Sequence, residues 1–146
     1  MVVGIAYRID EGLGLVLEVW DGVITVEEWR THVETILADP GRARCTKFLT
    51  DLTTADTSTI ADSDRAEIAS IFASDPSNFA GTKTAAIASQ EFEPSVRFGR
   101  RIEESGLNVI VFNELNGACL WLGLDTTAMR ANLREMRTTL RDEGPE

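Results

Sequence analysis

Nucleophilic catalysis is limited in this chain because it contains a single histidine, His32. A serine or cysteine nucleophile normally needs a nearby general base to remove its proton, and histidine takes that role most often. His32 falls within a predicted helix, next to the apolar stripe of that helix, and no serine stands in a GxSxG pattern. We therefore interpret His32 as a structural residue on the helix flank, and we predict no catalytic residue.

An acidic segment, residues 56–67, has part of the spacing of an EF-hand calcium loop. Asp56 and Glu67 would take its first and last positions, but Ile60 and Ala61 stand where an oxygen ligand and a turn-forming glycine are needed. Acidic residues are also favoured beside a helix N-terminus by the helix dipole. We predict an acidic loop that leads into a helix, no metal site and no cofactor. The other carboxylates are interpreted as a solvated surface.

A local cluster of arginines stands out against the acidic composition of the chain. The cluster comprises Arg97, Arg100 and Arg101. Their spacing places Arg97 on one face with each of the other two, in a helix predicted over residues 94–105. Guanidinium groups placed in this way can hold a small anion or an acidic partner. Glu93 and Glu104 lie at matching spacings, so surface ion pairs within the helix are the alternative.

The segment after Asp125 combines an apolar stripe with a basic one. The apolar positions follow a helical spacing: Met129, Leu133, Met136 and Leu140. The basic positions repeat that spacing one residue later: Arg130, Arg134, Arg137 and Arg141. Large apolar side chains on one stripe would form an exposed patch larger than a soluble monomer usually leaves uncovered. We predict an amphipathic helix over residues 127–141 that packs on its own domain or on a homodimer partner.

The overall charge restricts the partners. The formal net charge is -10 and the sequence pI is about 4.6, so the average surface field repels phosphate backbones. We predict no nucleic-acid partner and, because no stretch is apolar for long enough, no membrane insertion. Cys45 and Cys119 lie far apart in apolar segments and are interpreted as small buried side chains in a reducing compartment. We therefore expect a cytoplasmic protein.

The elements around these residues alternate between strands and helices. Turn residues separate two short β-like runs near the N-terminus, which is typical of an antiparallel hairpin. Thr25 and Glu28 match a capping box at the start of the first helix. Residues 53–59 are polar and are interpreted as a loop. Strands are predicted over residues 4–9, 13–20, 46–52, 82–89 and 107–112, and helices over residues 26–38, 61–74, 94–105 and 113–122.

This order of elements predicts an α/β fold. Strands that alternate with helices form a mostly parallel sheet with right-handed crossovers, and the N-terminal hairpin makes that sheet mixed. We predict a single mixed, mostly parallel sheet of about five strands, flanked by helices. Residues 1–125 form one domain in this prediction, and residues 126–146 add the amphipathic helix, packed on that domain or on a dimer partner.

Three segments resemble the STAS-like (SpoIIAA-like) family of domains, over about residues 5–125. The first is residues 22–29 (GVITVEEW), and the second is residues 48–52 (FLTDL). The third is residues 109–122, a segment that begins with VIVF and ends with ACLWL. The resemblance implies a mixed sheet flanked by helices. The wider family includes bacterial anti-sigma-factor antagonists, which are switched by phosphorylation of a serine in an Asp-Ser-Ser-Gly-like motif. The matching slot here, residues 59–62 (TIAD), lacks the serines and the glycine, so the phospho-switch is not carried over.

The resemblance and the missing catalytic patterns together predict a non-enzymatic module that regulates or binds another protein, or a second copy of itself. Relatives of similar topology also include CRAL-TRIO-like carriers of apolar ligands. The small residues Ala85, Ala86 and Ala88 would leave room between the sheet and a helix, so the alternative is a carrier or sensor of a small apolar or lipid-like ligand. An enzyme that uses dispersed carboxylates is a third hypothesis.

Overall fold

The structure is a computed structural model that describes residues 4–74, 81–89 and 108–142. Within these residues, five strands form one sheet and lie side by side in sequence order. The first two strands pair antiparallel, and the other neighbouring pairs are parallel. The strands are β1 (Ile5–Asp10), β2 (Leu15–Val23), β3 (Lys47–Asp56), β4 (Lys83–Ile87) and β5 (Asn108–Phe112). The predicted mixed, mostly parallel α/β sheet is confirmed.

The described α-helices are α1 (Val26–Ala38), α2 (Asp62–Ser74), α3 (Leu115–Leu122) and α4 (Thr126–Asp142). Thr25 caps α1 as predicted, because its hydroxyl accepts the backbone N–H of Glu28 (3.1 Å) and the Glu28 carboxylate accepts the backbone N–H of Thr25. A short 3-10 turn, Pro40–Arg44, follows this helix. Gly123 ends α3 with a left-handed φ of 71°. The helix predicted over residues 94–105 lies outside the described residues.

The strand β3 is longer than the sequence pattern predicts. A loop is expected from residue 53, but β3 continues to Asp56. Its last residues pair with the end of β2, with Thr54 opposite Asp21 and Ala55 opposite Gly22. Threonine is β-branched and suits a strand despite its polarity, and the neighbouring strand supplies hydrogen bonds to the backbone. The loop prediction is therefore wrong for residues 53–56, and β2 likewise extends past its predicted end, to Val23.

The sheet separates two packed faces, because alternate residues of each strand point to opposite sides. Along β2, Leu15, Leu17 and Val19 pack with α3 and α4, and we call this side the seam face. Val16 and Trp20 point to the opposite side and pack with α1 and α2, and we call this side the cavity face. The central strands are therefore covered by helices on both sides.

Candidate functional site

A cavity of about 150 Å³ lies on the cavity face, between the sheet and the helices α1 and α2. Most of its lining is aromatic or aliphatic. Lining residues of this kind include Trp20, Trp29, Val33, Phe48, Phe72 and Val109. Glu18, His32 and Thr50 line the same space. The cavity therefore brings a small group of polar side chains into a largely apolar space.

The polar group is centred on Glu18, a residue of β2. Glu18 lies directly opposite Thr50 of β3 in the parallel pairing, so both side chains are on the cavity face. Thr50 donates its hydroxyl Oγ1 to Glu18 Oε1 (2.5 Å). From α1, His32 places its Nε2 2.5 Å from Glu18 Oε2. Each carboxylate oxygen thus receives a hydrogen bond, and Glu18 as a whole is only 7% exposed.

The carboxylate of Glu18 is ionised at neutral pH although it is buried. Burial raises its pKa, because a charge is destabilised in a poorly hydrated interior. The electrostatic interaction with His32, together with the hydrogen bonds from His32 and Thr50, lowers the pKa of Glu18 by more than burial raises it. The pKa of Glu18 therefore lies below the ordinary value for glutamate, and the cavity wall carries a buried carboxylate that is paired with His32.

Aromatic rings border His32 and restrict its position. The Tyr7 ring meets the imidazole edge-on, with ring centroids 5.7 Å apart, and the Trp20 ring meets it at 6.4 Å. Trp20 in turn meets Trp29 edge-on at 5.6 Å. The Tyr7 hydroxyl donates to Asp39 Oδ2 (2.7 Å), and this hydrogen bond, with burial, raises the pKa of Tyr7 to about 12. Tyr7 therefore stays protonated at neutral pH, and its ring is held beside His32.

Comparisons with known proteins bear on the fold. No protein-family model matches the chain, and no curated protein matches it. A solved structure of an uncharacterized protein of the DUF3478 family from Shewanella loihica PV-4, which has a SpoIIAA-like fold, is similar to this chain with a TM-score of 0.51. The two proteins are 20% identical, and the match covers 84% of this chain and 96% of that one. This chain has a SpoIIAA-like fold.

The SpoIIAA-like fold confirms the fold that the sequence resemblance implies, and at this level of identity the likeness shows the fold alone. The ligand and partner of this chain therefore have to be argued from its own residues. As for membranes, no helix in the described part of the chain is long and apolar enough to cross one.

Within this SpoIIAA-like fold, the pair of Glu18 and His32 is the site that sequence reasoning missed. The carboxylates are expected from the sequence to form a solvated surface, and this is wrong for Glu18, which is buried in the sheet. One signal could have found it, because Glu18 is the lone charge in the apolar run LVLEVW, residues 15–20. His32 lies on the flank of α1 as expected, but the spacing within one helix does not show that this flank meets a buried carboxylate.

The predicted arginine cluster lies outside the described residues. It comprises Arg97, Arg100 and Arg101. Its alternative ion-pair partners, Glu93 and Glu104, lie outside the described residues as well. The binding of a small anion or an acidic partner by this cluster stays a prediction.

The C-terminal helix α4 packs on the seam face of its own chain. All of its stripe residues are buried there: Met129, Leu133, Met136 and Leu140. Arg137 lies 2.5 Å from the Asp51 carboxylate, and Arg141 lies 3.0 Å from that of Asp21. The remaining arginines of the basic stripe are exposed: Arg130 and Arg134. The apolar stripe is thus covered within one chain, and a role of this helix in a homodimer stays a prediction.

Proposed function

We propose that this protein binds a small, largely apolar molecule in the cavity, as a carrier or sensor of that molecule. The observation that carries the proposal is a space of about 150 Å³ with a mainly aromatic and aliphatic lining. In another protein, an apolar cavity of about 150 Å³ admits benzene. The size therefore favours a ligand with a single aromatic ring, or an apolar group of similar volume.

Small residues of β4 help to keep the space open. Ala86 lines the cavity and is 9% exposed. Its neighbour Ala85 faces the other way and belongs to the core of the seam face. Of these two alanines, only Ala86 is therefore placed to leave room for a ligand next to α1 and α2.

The protein-interaction role that the resemblance implies stays a prediction. A SpoIIAA-like fold does not by itself fix a function. In addition, the helix expected to offer an interface has its apolar stripe covered by its own chain. The proposed binding function is non-enzymatic, because it needs no bond to be made or broken.

The tryptophans provide the test, because Trp20 and Trp29 line the cavity whereas Trp121 packs on the seam face. An NMR spectrum of the indole N–H groups is recorded while toluene is added to isotope-labelled protein. The resonances of Trp20 and Trp29 are expected to move, because the ring of the ligand would lie next to theirs. The resonance of Trp121 should stay in place, because this ring contacts Phe112 on the other side of the sheet.

A cavity-filling variant provides the matched control for this titration. Ala86→Leu places a larger apolar side chain in the cavity. It is expected to abolish the toluene-induced shifts of the Trp20 and Trp29 resonances while the protein stays folded. Ala131→Leu makes the same substitution at an exposed position of α4, and this variant should bind toluene as the wild type does. Shifts that persist in Ala86→Leu, or a wild type in which toluene moves neither cavity resonance, would show that the proposal is wrong.

A further inference from the structure

Glu18 presents a buried carboxylate to the cavity, and its ion-pair partner among the described residues is His32. Its side-chain hydrogen bonds come from His32 and Thr50, each at 2.5 Å and each on a different oxygen. A carboxylate oxygen has two lone pairs, so each oxygen can accept a second hydrogen bond. A ligand in the cavity therefore meets a charged acceptor that still has capacity.

The same carboxylate offers no hydrogen bond to a ligand that is itself anionic, because an ionised carboxylate only accepts. A ligand carboxylate placed beside Glu18 would lose its water without gaining a donor from it. The formal net charge of -10 acts in the same direction on any anion that approaches the protein. A hydroxyl or amine donor has the opposite effect, because it adds a charge-assisted hydrogen bond to a carboxylate that has lost its water.

Arg65 of α2 also lines the cavity and is the side chain that could favour an anion instead. Its guanidinium Nη2 donates to the hydroxyl of Thr57 (3.0 Å) and to the backbone oxygen of Thr57 (3.3 Å). These hydrogen bonds hold the guanidinium against the segment that leads into α2. Arg65 is only half-buried, so solvent partly screens its charge.

We infer that the cavity, if it binds ligands as proposed above, selects ring-sized molecules that carry a hydroxyl or amine donor and discriminates against carboxylates. The donor would bind Glu18 beside His32 and Thr50. The ring would pack against Trp20 and Trp29, which form part of the apolar wall. Alcohols and amines share this donor chemistry, and the test below separates them.

Probes with the same ring and different polar groups test the inference: toluene, benzyl alcohol, benzylamine and benzoate. Dissociation constants are measured from the indole resonances of Trp20 and Trp29 in the wild-type protein. Benzyl alcohol and benzylamine are expected to bind about tenfold more tightly than benzoate, or better. Tighter binding of benzylamine would assign the ligand to the organic cations, and tighter binding of benzyl alcohol would assign it to the neutral alcohols. Benzoate that binds as tightly as benzyl alcohol would overturn the inference.

A substitution at the carboxylate shows whether Glu18 causes the discrimination. Glu18→Gln removes the charge at nearly constant shape and is expected to bring benzyl alcohol and benzoate to within about threefold of each other. Asp51→Asn is the matched control, because Asp51 is also a buried strand carboxylate, 6% exposed, but lies on the seam face with Arg137. This control should discriminate as the wild type does. Unchanged discrimination in Glu18→Gln would overturn the role of Glu18.

Toluene separates a failure of this inference from a failure of the proposed function. Toluene carries no polar group, so its binding depends on the apolar walls alone. If toluene binds and the polar probes show no preference, the selection by Glu18 is overturned and the binding function stands. If none of the probes moves the resonances of Trp20 and Trp29, both are overturned.

Discussion

The two faces of the sheet share the same strands but are packed in different ways. On the seam face, methionine and leucine side chains of α4 fill the space above Leu15, Leu17 and Val19, none of which is more than 3% exposed. Methionine adapts to irregular gaps because its side chain is unbranched and flexible. On the cavity face, rigid aromatic rings and the carboxylate of Glu18 border a space of about 150 Å³. Among residues 4–74, 81–89 and 108–142, the seam face is thus filled, whereas the cavity face leaves a space.

This difference suggests that stability and binding are divided between the faces. A filled apolar face contributes strongly to the free energy of unfolding, because it removes apolar surface from water and leaves few voids. An apolar space and a buried carboxylate are what a ligand needs for its apolar part and its polar group. Changes on the seam face should therefore alter stability, and changes on the cavity face should mainly alter binding.

Of the changes considered for the two faces, removal of α4 should lower the free energy of unfolding the most. Truncation after Asp125 removes the residues of the apolar stripe, each of which contributes about 1.5 to 3 kcal/mol by burial. Their sum is comparable to the whole stability of a typical domain, about 5 to 15 kcal/mol. We expect the truncated chain to lose cooperative unfolding in urea, measured by circular dichroism.

The control for this truncation ends the chain after Asp142 and keeps all of α4. It should unfold as the full chain does. Molar mass, measured by light scattering, is recorded for each protein. A folded truncated chain with half the molar mass of the full chain would show that the apolar stripe of α4 packs between two copies of the chain. A folded truncated chain of wild-type stability would show that the seam face does not support the fold.

A smaller loss of stability is expected when a single leucine on either face is replaced by alanine. Leu133 is 3% exposed on the seam face, and Leu133→Ala should lower the free energy of unfolding by about 2 to 5 kcal/mol. Leu37 lines the cavity and is half-buried, so Leu37→Ala should cost less than about half of that. Urea unfolding of both variants measures the difference. Equal losses would contradict the view that the cavity face is less tightly packed.

The smallest expected effect is the change in the free energy of unfolding with acid that Glu18, on the cavity face, should cause. Burial raises the pKa of Glu18, but His32 and Thr50 lower it by more, so the pKa is lower in the folded than in the unfolded chain. Such a group contributes stability above its unfolded pKa, about 4.3, and this contribution is lost as the pH falls through the folded-state pKa. The stability difference between wild type and Glu18→Gln should therefore shrink below about pH 4.

Urea unfolding of both proteins at several pH values between about 5 and 3 measures this difference. A difference that grows in favour of the wild type on acidification would contradict the prediction. It would show that the folded chain favours the protonated form of Glu18, and the cavity would then offer a neutral carboxylic acid.

Local patterns were enough to predict most of the elements. The capping box of Thr25 and Glu28, the break at Pro40 and the apolar spacing of α4 each depend on residues within a few positions of one another. The end of β3 was predicted wrongly because the strand over residues 53–56 depends on pairing with β2 and not on its own composition.

The sequence by itself determined the α/β order of elements and the two stripes of α4, since periodicity and capping act through the backbone conformation of nearby residues. Only the tertiary structure decided that the stripe is covered by its own chain. It also decided that Glu18 meets His32 and Thr50, which are 14 and 32 positions away in the chain. Strand register and helix packing bring such residues together. Both depend on the burial of whole faces of the sheet, so the candidate site could be recognised only in the tertiary structure.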